Sequence, residues 1–108
     1  MDNHAIIIAD RTGVIQFWSP GAAKLIGHSP QQAVGQKLDL VVPQALRAQH
    51  WEGFHKAMAT GVSGIAGEFF DLPVQTRNGE QTFRGQLHVL CDEDKSAIGA
   101  MAIFTLPA

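Results

Sequence analysis

The 108-residue sequence has one cysteine, Cys91, and no tyrosine. A lone cysteine excludes an internal disulfide and a multi-cysteine metal site, and a reducing, cytoplasmic setting is the simplest expectation. The lack of tyrosine removes every mechanism that needs a phenol. Charge is scarce too: eight Lys and Arg against ten Asp and Glu leave a formal net charge of −2. So weak a field does not draw nucleic acid or an anionic membrane, and direct binding to either is not expected. No apolar run approaches the ~18 residues of a spanning helix. The start, MDNHAIIIAD, lacks the basic flank, long apolar centre and cleavage site of a signal peptide. What is present is 45% hydrophobic residues, enough for the core of one small domain spanning residues 1–108.

Ile6-Ile7-Ile8-Ala9 and Val14 to Trp18 flank the turn tetrad Asp10-Arg11-Thr12-Gly13, which predicts a hairpin over residues 5–18. Ser19-Pro20 is an N-cap followed by proline at the first helical position; it opens a short helix to Ile26, with Gly27 at its exit. Ser29-Pro30 repeats the signal for another short helix ending near Gly35, and Pro43 opens a longer helix to about Ala59. Strands follow over Glu68–Thr76, Gln81–Cys91 and Ala97–Leu106, the first two joined by the hairpin signal Asn78-Gly79. In the second, Phe83, Gly85, Leu87, Val89 and Cys91 share one face, so Cys91 is expected to be a buried, inert thiol. The resulting order, β-β-α-α-α-β-β-β, predicts an α+β fold: a five-stranded antiparallel sheet with short helices on one face. The last strand is apolar on both faces, which calls for a cover on the outer sheet face; a second subunit is the expected one.

Two histidines stand out in LRAQHWEGFHKAM, residues 46–58. At roughly 100° per residue, Leu46, His50, Phe54 and Ala57 fall in one apolar stripe. His55 lies about 140° from His50, on the polar side with Glu52 and Lys56. Residues i and i+5 do not meet, so the pair neither chelates one metal nor acts as a base with its orienter. His50 alone is expected to face the interior. The segment GVSGIAG, residues 61–67, lacks the spacing of a nucleophile elbow and follows a helix end, so it reads as a flexible loop. No other nucleophile–base arrangement is evident, and enzyme activity is not expected.

The stretches IIIADRTGVIQFWSPGAAKLIGHSPQQAVGQKLDLVVPQALR and TRNGEQTFRGQLHVLCDEDKSAIGAMAIF resemble a PAS sensor domain over nearly the whole chain. The match rests on a strand, a D-x-x-G turn, a second strand and two short helices with N/S-x-A-A-like and G-x-S-x-x-E-like signatures. Ser19 stands where Asn is usual, and Gln31-Gln32 where Glu is common. The chain also ends AIFTLPA, without the Asp-x-Thr-like element that leads many such domains into a signalling helix. A fragment of a longer signalling protein is therefore expected, with an attached output domain such as a transcription regulator or kinase.

The resemblance implies a ligand held between the inner sheet face and the helices. Leu38, Leu40, His50, Phe54, Phe70, Leu72, Leu87 and Val89 are the candidate pocket residues. A flavin photosensor of this family needs a reactive cysteine on the pocket helix, and the coumarate type needs tyrosines; neither is here. LRAQHW resembles the haem-anchoring segment of oxygen- and carbon-monoxide-sensing members, which implies His50 as the axial ligand of a haem b. Where those relatives often carry a methionine as sixth ligand this chain has Glu68, and Met101 is another candidate. Three readings follow: a sensor of a small ligand, a haem-based gas sensor, and a ligand-free dimerisation module.

Overall fold

The computed structural model describes residues 3–63 and 67–106. Two strands, β1 (Ala5–Asp10) and β2 (Ile15–Trp18), lead into helices α1 (Pro20–Ile26) and α2 (Pro30–Ala33). Two 3-10 turns, Leu38–Leu40 and Gln44–Leu46, precede the long helix α3 (Arg47–Thr60). Strands β3 (Phe70–Thr76), β4 (Gly79–Cys91) and β5 (Ala97–Thr105) complete one sheet, antiparallel throughout, in the order β2-β1-β5-β4-β3. This is the α+β architecture that the sequence order predicts.

Local chemistry explains the elements. The Asp10 carboxylate accepts from the backbone of Thr12 and Val14 and from the Thr12 hydroxyl and Gln16 amide, closing the first turn. These bonds, the Thr12 hydroxyl foremost, hold its pKa below the usual carboxylate value. Ser19 is buried and does two things at once: its hydroxyl caps α1 by accepting from Ala22 N at 3.0 Å and accepts from Ile6 N at 2.9 Å. Ser29 and Gln32 form a full capping box on α2. A register shift between Ile8 and Ala9 breaks the alternation of β2, so that Ile15 and Trp18 are both buried. Pro73 lies within β3, an edge strand, where its missing N–H interrupts no inner ladder.

The expected long helix from Pro43 is in fact broken. The turn Gln44–Leu46 is 3-10, and α-helix begins only at Arg47. Leu46, the residue before α3, offers no side-chain cap; instead the Arg47 guanidinium donates to the carbonyls of Val42 and Asp39. The last strands begin or end within two residues of expectation, but Glu68 falls outside β3 and is exposed. Cys91 is also exposed, against the expectation of a buried thiol. A register shift between Leu90 and Cys91 ends the alternation that Phe83 and Gly85 establish, and the Cys91 thiol turns to the Gly61 carbonyl at 3.6 Å.

One cluster of the core lies beneath α1 and α2, built around Ile15, Ile26 and Phe83. A smaller one lies beneath α3: Phe54, Ala57, Met58 and Ala97. On the inner sheet face between them stand Ala9, Ala100 and Ala102. Small side chains there leave space under α3 where larger ones would have filled the core.

Candidate functional site: a cavity between the sheet and the long helix

That space is a cavity of about 780 Å³, within the range of small-molecule sites. Helix α3 forms one wall, with Leu46, His50, Phe54 and Ala57 all lining it, the four residues of the predicted apolar stripe. Opposite stand Leu72 of β3, Leu87 and Val89 of β4, and Ala100 and Ala102 of β5; Leu38 reaches in from the first 3-10 turn. Of the eight candidate pocket residues, six thus meet here: Leu38, His50, Phe54, Leu72, Leu87 and Val89. Leu40 and Phe70 do not line the cavity. Leu40 packs on the cluster beneath α1 and α2, and Phe70 is the first residue of β3, paired with Gly85.

Sequence reasoning missed the alanines of β5, Ile7 of β1, and Val41 and Val42, which also line the cavity. Alternation in β1 was a usable signal for Ile7. Nothing local distinguishes a wall alanine from any other. The candidate loop 61–67 contributes Ser63 to the lining; residues 64–66 lie outside the described residues.

His50 carries a buried polar atom into this largely apolar enclosure. Its Nδ1 is buried and has no hydrogen-bond partner, the one such side-chain atom among the described residues. Its ring stands edge-on to Trp51, with centroids 5.0 Å apart, and 6.0 Å from the Phe54 ring. Burial pushes its pKa below the ordinary 6.5; the Asp39 carboxylate pulls the other way and His55 pushes further down. The imidazole is therefore neutral at neutral pH, with a lone pair or an N–H to offer. His55 is exposed and stacks on Trp51 at 5.7 Å.

For a haem, the fit is partial. A neutral imidazole with an unpartnered nitrogen in an apolar cavity is a competent axial donor. A second protein ligand is not provided by the two candidates: Glu68 is exposed, and Met101, although it borders the cavity, alternates with Ala100 and Ala102, so that its side chain stands on the opposite sheet face with His88 and only its backbone faces the cavity. Among the described residues no group of three or more His, Cys, Asp or Glu is placed to hold a metal ion. No helix among them is long and apolar enough to cross a membrane.

Sheet order, helices and cavity define an α+β domain with a ligand-sized space beneath its long helix. The chain belongs to the PAS fold family, whose sequence profile matches residues 2–105. It is 23% identical over 75 residues to the oxygen sensor protein DosP of Escherichia coli and 37% identical over 46 residues to the sensor protein FixL of Bradyrhizobium diazoefficiens. Those matches cover 69% and 43% of this chain but only 9% of either relative's length. The PAS domain of a Colwellia psychrerythraea protein superposes with a TM-score of 0.79 at 19% identity, covering 96% of this chain and 86% of that one. The PAS domain of the Cronobacter turicensis quorum-sensing receptor RpfR, in complex with C12:0, gives 0.76 at 20% identity, covering 98% and 95%. Identities this low establish shared fold alone.

Proposed function

We propose that this domain is a sensory, signal-transducing module that holds a small amphipathic molecule in the cavity under α3, with His50 as its polar contact. The single observation that carries this reading is the unpartnered Nδ1 of His50, buried in an apolar cavity of about 780 Å³. A buried polar atom without a partner costs about 1–3 kcal/mol. A ligand with one polar group recovers that cost while its apolar part occupies the rest of the space. The RpfR domain in complex with C12:0 supports the choice of an apolar-tailed ligand. Binding would shift α3 and the sheet between two states, by no more than the ligand's differential affinity for them. The readout would be an output domain, such as a transcription regulator or kinase, elsewhere in a longer protein. The test is melting temperature and native mass spectrometry with dodecanoic acid. Saturating ligand at a hundredfold excess over Kd adds about 2.7 kcal/mol. Neither an adduct nor a shift with any apolar-tailed amphiphile would sink the reading.

The same histidine favours a second reading, a haem-based gas sensor with His50 as axial ligand. Its support is the neutral, unpartnered imidazole and the similarity to a protein named an oxygen sensor. Bound iron would supply the gas-binding position; His50 would hold it and the apolar walls would keep water out. Intense visible absorption after reconstitution, lost in His50→Ala and kept in His55→Ala, is the expected signature. An unchanged spectrum in His50→Ala would exclude His50.

The outer sheet face suits a homodimer. Ile6 pairs with Ile103 and Ile8 with Met101 there, with the exposed Phe17 alongside. A second copy of the chain, presenting the same face, would remove these side chains from water.

A further inference from the structure

Gly53 has no packing reason to be a glycine. It lies in the middle of α3, and its φ is not among the positive ones that favour glycine. A Cβ built on it meets nothing within 4 Å. A mid-helix glycine is less stable than alanine, so the position forgoes stability without gaining a contact. Its surroundings are specific, however. Gly53 lines the cavity, and so do its four neighbours on the helix surface, Gln49, His50, Lys56 and Ala57. Gly53 is also exposed. A residue that is both exposed and part of the lining marks where the cavity reaches the surface.

We infer that Gly53 is the portal of the cavity, through which a single-chain amphiphile enters and at which its polar head stays. The inference rests on the cavity's being a ligand site, as proposed above, and adds how the ligand gets in and what shape it has. Cβ atoms three or four residues apart on a helix are about 5–6 Å from one another. The gap left by one missing side chain therefore passes a polymethylene chain, whose carbons need about 4 Å of contact distance. The head at the portal lies beside the polar rim of Gln49, Glu52 and Lys56, and within reach of His50. The tail runs toward Leu87, Ala100 and Ala102. A side chain at position 53 would lean back over the turn that carries Gln49 and His50, across the opening.

The experiment compares the wild type with Gly53→Ala and Gly53→Leu, using stopped-flow binding of dodecanoic acid and melting temperature without ligand. Both variants are expected to melt at or above the wild-type temperature, since the added Cβ enters open space and alanine and leucine are better helix formers than glycine. Association is expected to slow more than tenfold in Gly53→Leu and by a smaller, measurable factor in Gly53→Ala. An unchanged association rate in whichever of the two variants folds overturns the portal and leaves the ligand reading intact. No binding by the wild type overturns the ligand reading and the portal with it.

Discussion

The Trp51 indole N–H donates a 2.6 Å hydrogen bond to the Asp39 carboxylate, while the six-membered ring of the same indole fills the space that a Gly13 side chain would need. One residue of α3 thus touches the 3-10 turn before it and the β1–β2 turn. Gly13 is doubly constrained, because its φ of +83° also favours glycine. Gly13→Ala is expected to cost about 2–3 kcal/mol, from left-handed strain and displacement of the indole. Trp51→Phe, which loses both the donor to a charged group and the distal ring packed on Gly13, should cost at least about 1.5–3 kcal/mol. Urea midpoints check both; a neutral Gly13→Ala would mean that the indole has room to move.

His50→Leu should stabilise the ligand-free domain, by about 1 kcal/mol, because it exchanges a buried unpartnered nitrogen for an apolar group of similar volume. It should abolish the melting shift produced by dodecanoic acid. Higher stability without loss of binding would remove His50 from the site.

The same residue sets a pH dependence. Its folded pKa lies below 6.5, so below that pH the unfolded chain binds the proton more readily than the folded one. The stability associated with His50 is complete above pH 6.5. It falls as pH drops, and the loss levels off once pH is beneath the folded value. Asp39 and His55 act on the same imidazole, Glu52 and Lys56 share the cavity lining, and His88 borders it with its side chain on the opposite sheet face. Melting temperature between pH 7.5 and 5 should decline more steeply in the wild type than in His50→Leu. Parallel slopes would mean that His50 does not carry the effect.

Ser19→Ala removes one acceptor from two backbone donors, Ala22 N and Ile6 N. The expected cost is about 2 kcal/mol, at the upper end for an N-cap, because the Ile6 donor loses its partner as well. Ser19→Asn, with an acceptor of similar reach, should recover part of it. Equal stability of wild type and Ser19→Ala would show that water replaces the hydroxyl at both sites.

The outer sheet face predicts a dimer at micromolar concentration in sedimentation experiments. Met101→Arg, on the face away from the cavity, should give a monomer with an unchanged ligand shift. A wild type that sediments as a monomer throughout that range would overturn the dimer.

Much of this domain was legible residue by residue. Turn and cap chemistry is local: Asp10 to Gly13, Ser19-Pro20 and Asn78-Gly79 make their own hydrogen bonds or backbone geometry wherever they occur, so the element order could be read from them. The helical period likewise put His50 with Leu46, Phe54 and Ala57 and set His55 apart, because a wheel depends on spacing alone. Where irregular backbone intervened, spacing failed. The register shift at Leu90–Cys91 exposed a cysteine that alternation had buried, and the 3-10 turn at Gln44–Leu46 broke a helix that Pro43 had promised. The cavity itself was decided only by tertiary structure. Its volume is the difference between the span from sheet to α3 and the side chains available to fill it. Ala9, Ala100 and Ala102 come from two strands more than eighty residues apart, and only their pairing in the sheet sets them side by side in one wall of the cavity that His50 also lines.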